Sequence, residues 1–84
     1  MSTPLRITMY TTAICPYCIA AKSFLHKRGI TGIDEIRVDL DDTRRQEMMQ
    51  RSGRRTVPQI WWGDQHIGGY DDMVALERAG KLPF

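Results

Sequence analysis

The hydrophobic pattern of this chain changes period between residues 5 and 25, and the change falls on a pair of cysteines. Leu5-Arg6-Ile7-Thr8-Met9-Tyr10 alternates apolar and polar with β-branched content, the pattern of a half-buried strand. Beyond it, Pro16 suits a first helical turn, where the missing N–H costs nothing, and Ala21, Phe24 and Leu25 supply an apolar helical face. Cys15-Pro16-Tyr17-Cys18 occupies the junction and holds the only two cysteines of the chain. Such a pair beside a βαβ pattern reads first as a redox motif.

The rest of the chain continues the alternation. His26-Lys27-Arg28 followed by Gly29 is a helix stop, with cations in the last turn. Glu35 to Leu40 alternates again and predicts a second strand, parallel to the first after the helical crossover. Thr43 with Gln46 forms a capping box for a helix to about Ser52, closed by Gly53. Thr56 to Trp62 is the third extended run, and Gly63-Asp64 turns it into a short strand, Gln65 to Ile67. Gly68-Gly69 breaks that strand, and Asp71 or Asp72 caps a last helix through Ala79, closed by Gly80. The order is βαβαββα, an α/β sandwich with a mixed sheet. With 84 residues, 42% of them hydrophobic, the expectation is one domain over 1–84 with one compact core.

Composition bounds the function. Two cysteines are too few for the disulfide framework of a secreted mini-protein. The amino terminus lacks the roughly 7–15-residue apolar stretch of a signal peptide, and no apolar run approaches the ~18 residues of a membrane span. A cytoplasmic protein of a reducing compartment is therefore expected. A net charge of +2 is too small to imply a nucleic-acid or membrane partner. Charge is uneven nonetheless: five acids lie within 34–42 and five arginines (Arg44, Arg45, Arg51, Arg54, Arg55) within 44–55. These arginines read first as a solvated helix face and second as a dock for a small anionic ligand.

The thiolate is the nucleophile in disulfide exchange, and at an unperturbed pKa of about 8.5 little of it exists at neutral pH. A helix amino terminus lowers that pKa through free N–H donors and the positive dipole end. Cys15, at the helix start, is the expected exposed attacking sulfur. Cys18, one turn on and tucked beneath, is the expected resolving sulfur. Structural zinc needs about four ligands, and His26 and His66 lie far apart in the chain. Two packing cysteines fit poorly with Pro-Tyr between them at a strand-to-helix turn. Tyr17 is either a plain exposed aromatic or a wall for a thiol substrate. Pro58, in Thr56-Val57-Pro58, belongs at a strand's first residue or edge; a cis bond there would leave the Val57 backbone groups unpaired, although trans is the commoner state. Gly68-Gly69-Tyr70-Asp71-Asp72 leads into a helix amino terminus, where N–H groups can take a carboxylate and aspartates either cap or receive an ammonium.

Together these segments resemble the glutaredoxins of the thioredoxin superfamily, in particular the bacterial dithiol type. The resemblance runs through Met9-Tyr10-Thr11, Cys15-Pro16-Tyr17-Cys18, Arg51-Ser52-Gly53 and Thr56-Val57-Pro58-Gln59-Ile60. It continues through Gln65-His66-Ile67-Gly68-Gly69, Asp71-Asp72 and Ala75-Leu76-Glu77-Arg78-Ala79-Gly80-Lys81-Leu82. It implies a thioredoxin-like fold with a four-stranded mixed sheet and three helices, a cis Pro58 facing the active site, and glutathione as electron donor. By position, it places the Val57 backbone against the cysteinyl part of glutathione. Gly69, Asp71 and Asp72 at the helix start would hold the γ-glutamyl end, and Arg45 would lie near the glycine carboxylate. Tyr17 would line the sulfur pocket and Thr56 would border it. Two departures stand out: Thr12 occupies a position where many family members carry lysine, and Trp61-Trp62 replaces smaller apolar residues.

The function expected is a glutathione-dependent thiol–disulfide oxidoreductase acting on protein disulfides and glutathione mixed disulfides. Cys15 and Cys18 would be its catalytic pair, with no metal or organic cofactor and a monomeric state. Two rival readings are a glutathione-ligated [2Fe–2S] cluster dimer and a redoxin fed by thioredoxin reductase. Pro16 and the retained Cys18 disfavour the first, and the contacts implied for Arg45, Asp71 and Asp72 disfavour the second.

Overall fold

The computed structural model describes residues 6–84, so the expected strand residue Leu5 lies outside the described residues. The elements are β1 (Ile7–Thr11), α1 (Pro16–Lys27), β2 (Ile33–Arg37), α2 (Asp42–Ser52), β3 (Gln59–Trp62), β4 (Gln65–Gly68) and α3 (Tyr70–Arg78). The four strands form one mixed sheet in the order β2-β1-β3-β4. β1 runs parallel to β2 and antiparallel to β3, and β3 and β4 form the antiparallel hairpin. This is the thioredoxin-like α/β fold in the order read from the sequence. Among the described residues no helix is long and apolar enough to cross a membrane.

Strand alternation divides the apolar residues between two faces. Ile7, Met9, Ile60 and Ile67 meet Ala21 and Leu25 of α1 and Met73 of α3 on one face. Tyr10 and Trp61 meet Val38 and Met48 of α2 on the other. Burying a side chain such as Leu25 or Ile60 completely contributes roughly 1.5–3 kcal/mol each, and both are fully enclosed. The tandem tryptophans serve both layers: Trp61 packs with Tyr10, and half-buried Trp62 packs against the first cluster.

Several expected boundaries move, three of them for clear physical reasons. β2 starts at Ile33 and stops at Arg37 instead of spanning Glu35 to Leu40. Its partner β1 ends at Thr11, where the chain turns away toward Cys15, so after Val38 N donates to the Thr11 carbonyl at 2.9 Å there is no strand left to pair with. Val38 turns into the second core and Leu40 faces solvent. The second helix is capped by Asp41, whose carboxylate accepts from Thr43 N and Arg44 N, rather than by Thr43. An aspartate in extended backbone two residues earlier offers a charged acceptor to the free N–H groups and outcompetes the hydroxyl. The third run becomes strand only at Gln59, because Pro58 has no N–H for a ladder.

Candidate active site

Cys15 is the N-cap of α1, in extended backbone, with Pro16 opening the helix. Its sulfur accepts the Cys18 N–H at 3.1 Å, as a cap side chain should. Cys15 and Cys18 are joined as a disulfide with their Cα atoms 5.2 Å apart. Cys18 is 2% exposed and Cys15 only 8%. Cys15 is thus more enclosed than the exposed sulfur expected: its Sγ is bonded to that of Cys18 and lies 3.7 Å from the Val57 carbonyl oxygen. The loop that carries Cys15 is pinned from β2: Ala13 N donates to Asp39, whose carboxylate takes a two-bond grip from Arg37. Those guanidinium bonds, ahead of the Ala13 N–H, hold the Asp39 carboxyl down to about 2. Thr12 donates its hydroxyl to the Ile14 carbonyl.

The Val57–Pro58 peptide bond is cis. Beside it opens a groove of about 420 Å³ lined by Tyr17, Arg54, Thr56, Val57, Pro58, Gly69, Tyr70, Asp71 and Asp72. Of the expected glutathione residues, Tyr17, Thr56, Val57, Pro58, Gly69, Asp71 and Asp72 are therefore brought together. Arg45, half-buried on α2, does not line this groove. The cation that does is Arg54, which extends from the loop after Gly53 and pairs with Asp72 at 2.5 Å. Arg54 belongs to the arginine cluster read as a possible anion dock, but only its place two residues before Thr56 distinguishes it from the others in the sequence. Tyr70 was missed; its ring lies 6.2 Å from that of Tyr17, so the two phenols line the groove together.

The two aspartates divide their tasks. Gly69, rather than Asp71 or Asp72, is the N-cap of α3; Asp72 stands inside the first turn, where its carboxylate reaches back to accept the Gly69 N–H at 2.8 Å and pairs with Arg54. The guanidinium bond first, and the N–H second, hold its pKa below the ordinary carboxylate value. Asp71 is exposed at the rim. Gly68, at φ +110, brings its backbone so close that an added Cβ would stand 2.6 Å from Asp72 Oδ2. Among the described residues, no group of three or more His, Cys, Asp or Glu side chains is arranged to hold a metal ion.

A sulfur pair at a helix start, a proline loop beside it and a polar groove ending on a second helix start form one continuous site. The glutaredoxin family model matches residues 7–67. The chain belongs to the glutaredoxin family. A glutaredoxin of Pseudomonas aeruginosa is 51% identical over 76 residues, covering 90% of this chain and 89% of the relative. Glutaredoxin 3 of Escherichia coli is 46% identical over 76 residues, with 90% of each chain covered. Among solved structures, a glutaredoxin of Brucella melitensis superposes with a TM-score of 0.81 at 43% identity, covering 96% of this chain and 87% of its own. A buckwheat glutaredoxin–glutathione complex superposes at 0.82 with 30% identity, covering 90% of this chain and 71% of its own. As a glutaredoxin, the chain is a glutathione-dependent thiol–disulfide oxidoreductase working through its one cysteine pair.

Proposed function

We propose that Cys15 is the attacking sulfur, that Cys18 resolves, and that glutathione lies along the groove beside them. The observation that carries this is the position of Cys15. It alone caps α1, where the Cys18 N–H already points at its sulfur at 3.1 Å and would hold a thiolate there. In the monothiol route the Cys15 thiolate attacks the glutathionyl sulfur of a mixed disulfide, and the substrate leaves as a thiolate that takes a proton from water. A second glutathione thiolate attacks the new Cys15–glutathione bond, forming glutathione disulfide and restoring the Cys15 thiolate. In the dithiol route Cys15 attacks a protein disulfide, Cys18 displaces the second protein sulfur, and two glutathiones reduce the resulting Cys15–Cys18 bond. Exchange of this kind needs no further cofactor.

Glutathione fits the groove by its chemistry. Val57 offers backbone groups to the cysteinyl peptide, Tyr17 and Pro58 wall the sulfur, and Thr56 borders it. The α3 amino terminus at Gly69 faces the γ-glutamyl carboxylate, with Asp71 free for its ammonium while Asp72 holds Gly69 and Arg54. Arg54 takes the place near a ligand carboxylate first given to Arg45, and Arg45 remains a candidate for the outer glycine end. The chain acts as one domain and as a monomer in the cytoplasm, on glutathionylated and disulfide-containing proteins, without nucleic acid or membrane as partner. Its cysteine count and small net charge support that setting.

The test is turnover of a small glutathione mixed disulfide, with glutathione as reductant, by wild type, Cys15→Ser and Cys18→Ser. Activity retained by Cys18→Ser and lost by Cys15→Ser is the expected result. An inert wild type would overturn the glutathione reading and leave the thioredoxin-reductase-fed redoxin.

A further inference from the structure

Beneath the loop carrying Thr56, Val57 and Pro58 lies a buried amide that the exchange steps do not use. Gln59, the first residue of β3, is completely enclosed. Its Nε2 donates to the Thr56 carbonyl at 3.0 Å and lies 3.2 Å from the Thr56 hydroxyl. Its Oε1 lies 2.8 Å from His66 Nε2. With both amide hydrogens directed at Thr56, the amide oxygen faces the imidazole, so His66 Nε2–H must be the donor. The ring is held in turn. It stacks on Trp61 with centroids 4.5 Å apart, and the Arg51 guanidinium lies 4.3 Å from the centre of the Trp61 indole. Arg51 also donates to the Tyr10 hydroxyl, which donates to Glu47.

An apolar side chain would fill position 59 without the desolvation cost that a buried amide carries until it is fully paired. What the amide adds is direction: it ties residue 59 back to residue 56 across Val57 and Pro58. Val57 stands beside Cys15, and Thr56 and Pro58 border the groove. Burial, then the nearby Arg54, lowers the His66 pKa, and both the Nε2–H neutral ring and the cation present the same donor to Gln59.

We propose that Gln59 and His66 are a positioning pair for the glutathione site. His66 Nε2–H holds the Gln59 amide so that its NH2 group fixes Thr56 and, through it, the Val57 backbone beside Cys15. This rests on reading the groove as the place where glutathione lies. The pair touches no reacting atom, so it acts on ligand placement and shows in KM ahead of kcat.

Three variants test it, each with its melting temperature measured alongside steady-state kinetics on a glutathionylated peptide. His66→Phe keeps a ring on Trp61 and removes the donor; His66→Gln returns an amide N–H; Gln59→Leu removes the tie. His66→Phe and Gln59→Leu should raise KM for the peptide about tenfold with kcat within about twofold. His66→Gln should bring KM back to within about threefold of wild type. Unchanged KM in folded His66→Phe, failure of His66→Gln to restore it, or a loss that falls on kcat alone overturns the pair. Should Gln59→Leu not fold, the two substitutions at His66, on the edge strand β4, decide the matter. A wild type inert with glutathione overturns the groove reading itself, whereas an active wild type with an unaltered His66→Phe overturns only the positioning role.

Discussion

Two grooves of nearly equal size lie at opposite ends of β1, one of about 440 Å³ and one of about 420 Å³. The first is walled by Ile7, Ile30, Trp62 and Phe84, with the Trp62 and Phe84 rings 6.1 Å apart, and Arg6, Thr31 and Gly32 at its margin. The second collects a helix start at Gly69, a carboxylate pair, Arg54, two phenols and the Val57 backbone beside a disulfide. Volume does not tell them apart. The difference is convergence: of the two, the second collects several polar groups around one space beside the disulfide, which is what orients a ligand. The apolar groove is where the rims of a small core meet.

Substitutions in the two grooves should therefore behave differently. The largest effect is expected from Gly68→Ala. At φ +110 a side chain is strained, and its Cβ would collide with Asp72 Oδ2. Stability should fall by about 2 kcal/mol, and kcat/KM for a glutathionylated peptide by about tenfold as Asp72 is displaced. Urea melts and steady-state rates would show both, and wild-type rates would place the α3 amino terminus outside the working site.

Asp72→Asn comes next, with kcat/KM down about fivefold from the loss of the Arg54 pairing. Its pH signature is specific. The folded pKa of Asp72 is depressed below the ordinary 3.8, so the stability it contributes is complete above that value and disappears as pH falls through the lower folded value. The stability gap between wild type and Asp72→Asn should stay constant from neutrality down to about pH 5 and close below about pH 4. Denaturant midpoints across that range check it, and a gap that widens in acid would be inconsistent with the Arg54 pairing.

Thr12→Lys sharpens the comparison by adding a cation near Cys15, where the present hydroxyl only bonds the Ile14 carbonyl. KM for glutathione should fall about threefold, an effect that fades as salt is raised. Trp62→Ala is expected to leave kcat/KM within about twofold while costing about 2 kcal/mol of stability, less than a fully buried tryptophan would. A matching loss of turnover would show that the apolar groove communicates with the site.

Much of the fold was legible because local signals agreed with the global arrangement. The period switch at residues 11–16, Gly29, Gly53 and Gly80 after their helices, and the Gly63 turn all lie where the pattern put them. The misplaced features each depend on something beyond local spacing. β2 was set too late because Val38, Asp39 and Leu40 alternate like a strand, but pairing ends when β1 leaves the sheet at Thr11. Thr43 with Gln46 reads as the cap because the box pattern is a matter of spacing, whereas the cap is won by Asp41, the acceptor that sits in extended backbone. The resemblance points to Arg45, whose helix position is legible in the sequence, whereas Arg54 lines the groove because of the course of a loop that is not.

By itself the sequence determined the order of elements, the cysteine pair at a helix start and the family to which the chain belongs. These depend on residue type and near spacing, and such interactions are settled within a few residues of chain. The tertiary structure alone decided which cation borders the groove and which aspartate is committed to the cap. It also decided how near the Val57 carbonyl lies to Cys15, and that Gln59 and His66 brace the loop from beneath. Each of those is a contact between residues brought together by strand pairing and helix packing, and such contacts are set by the register of the sheet rather than by any local pattern.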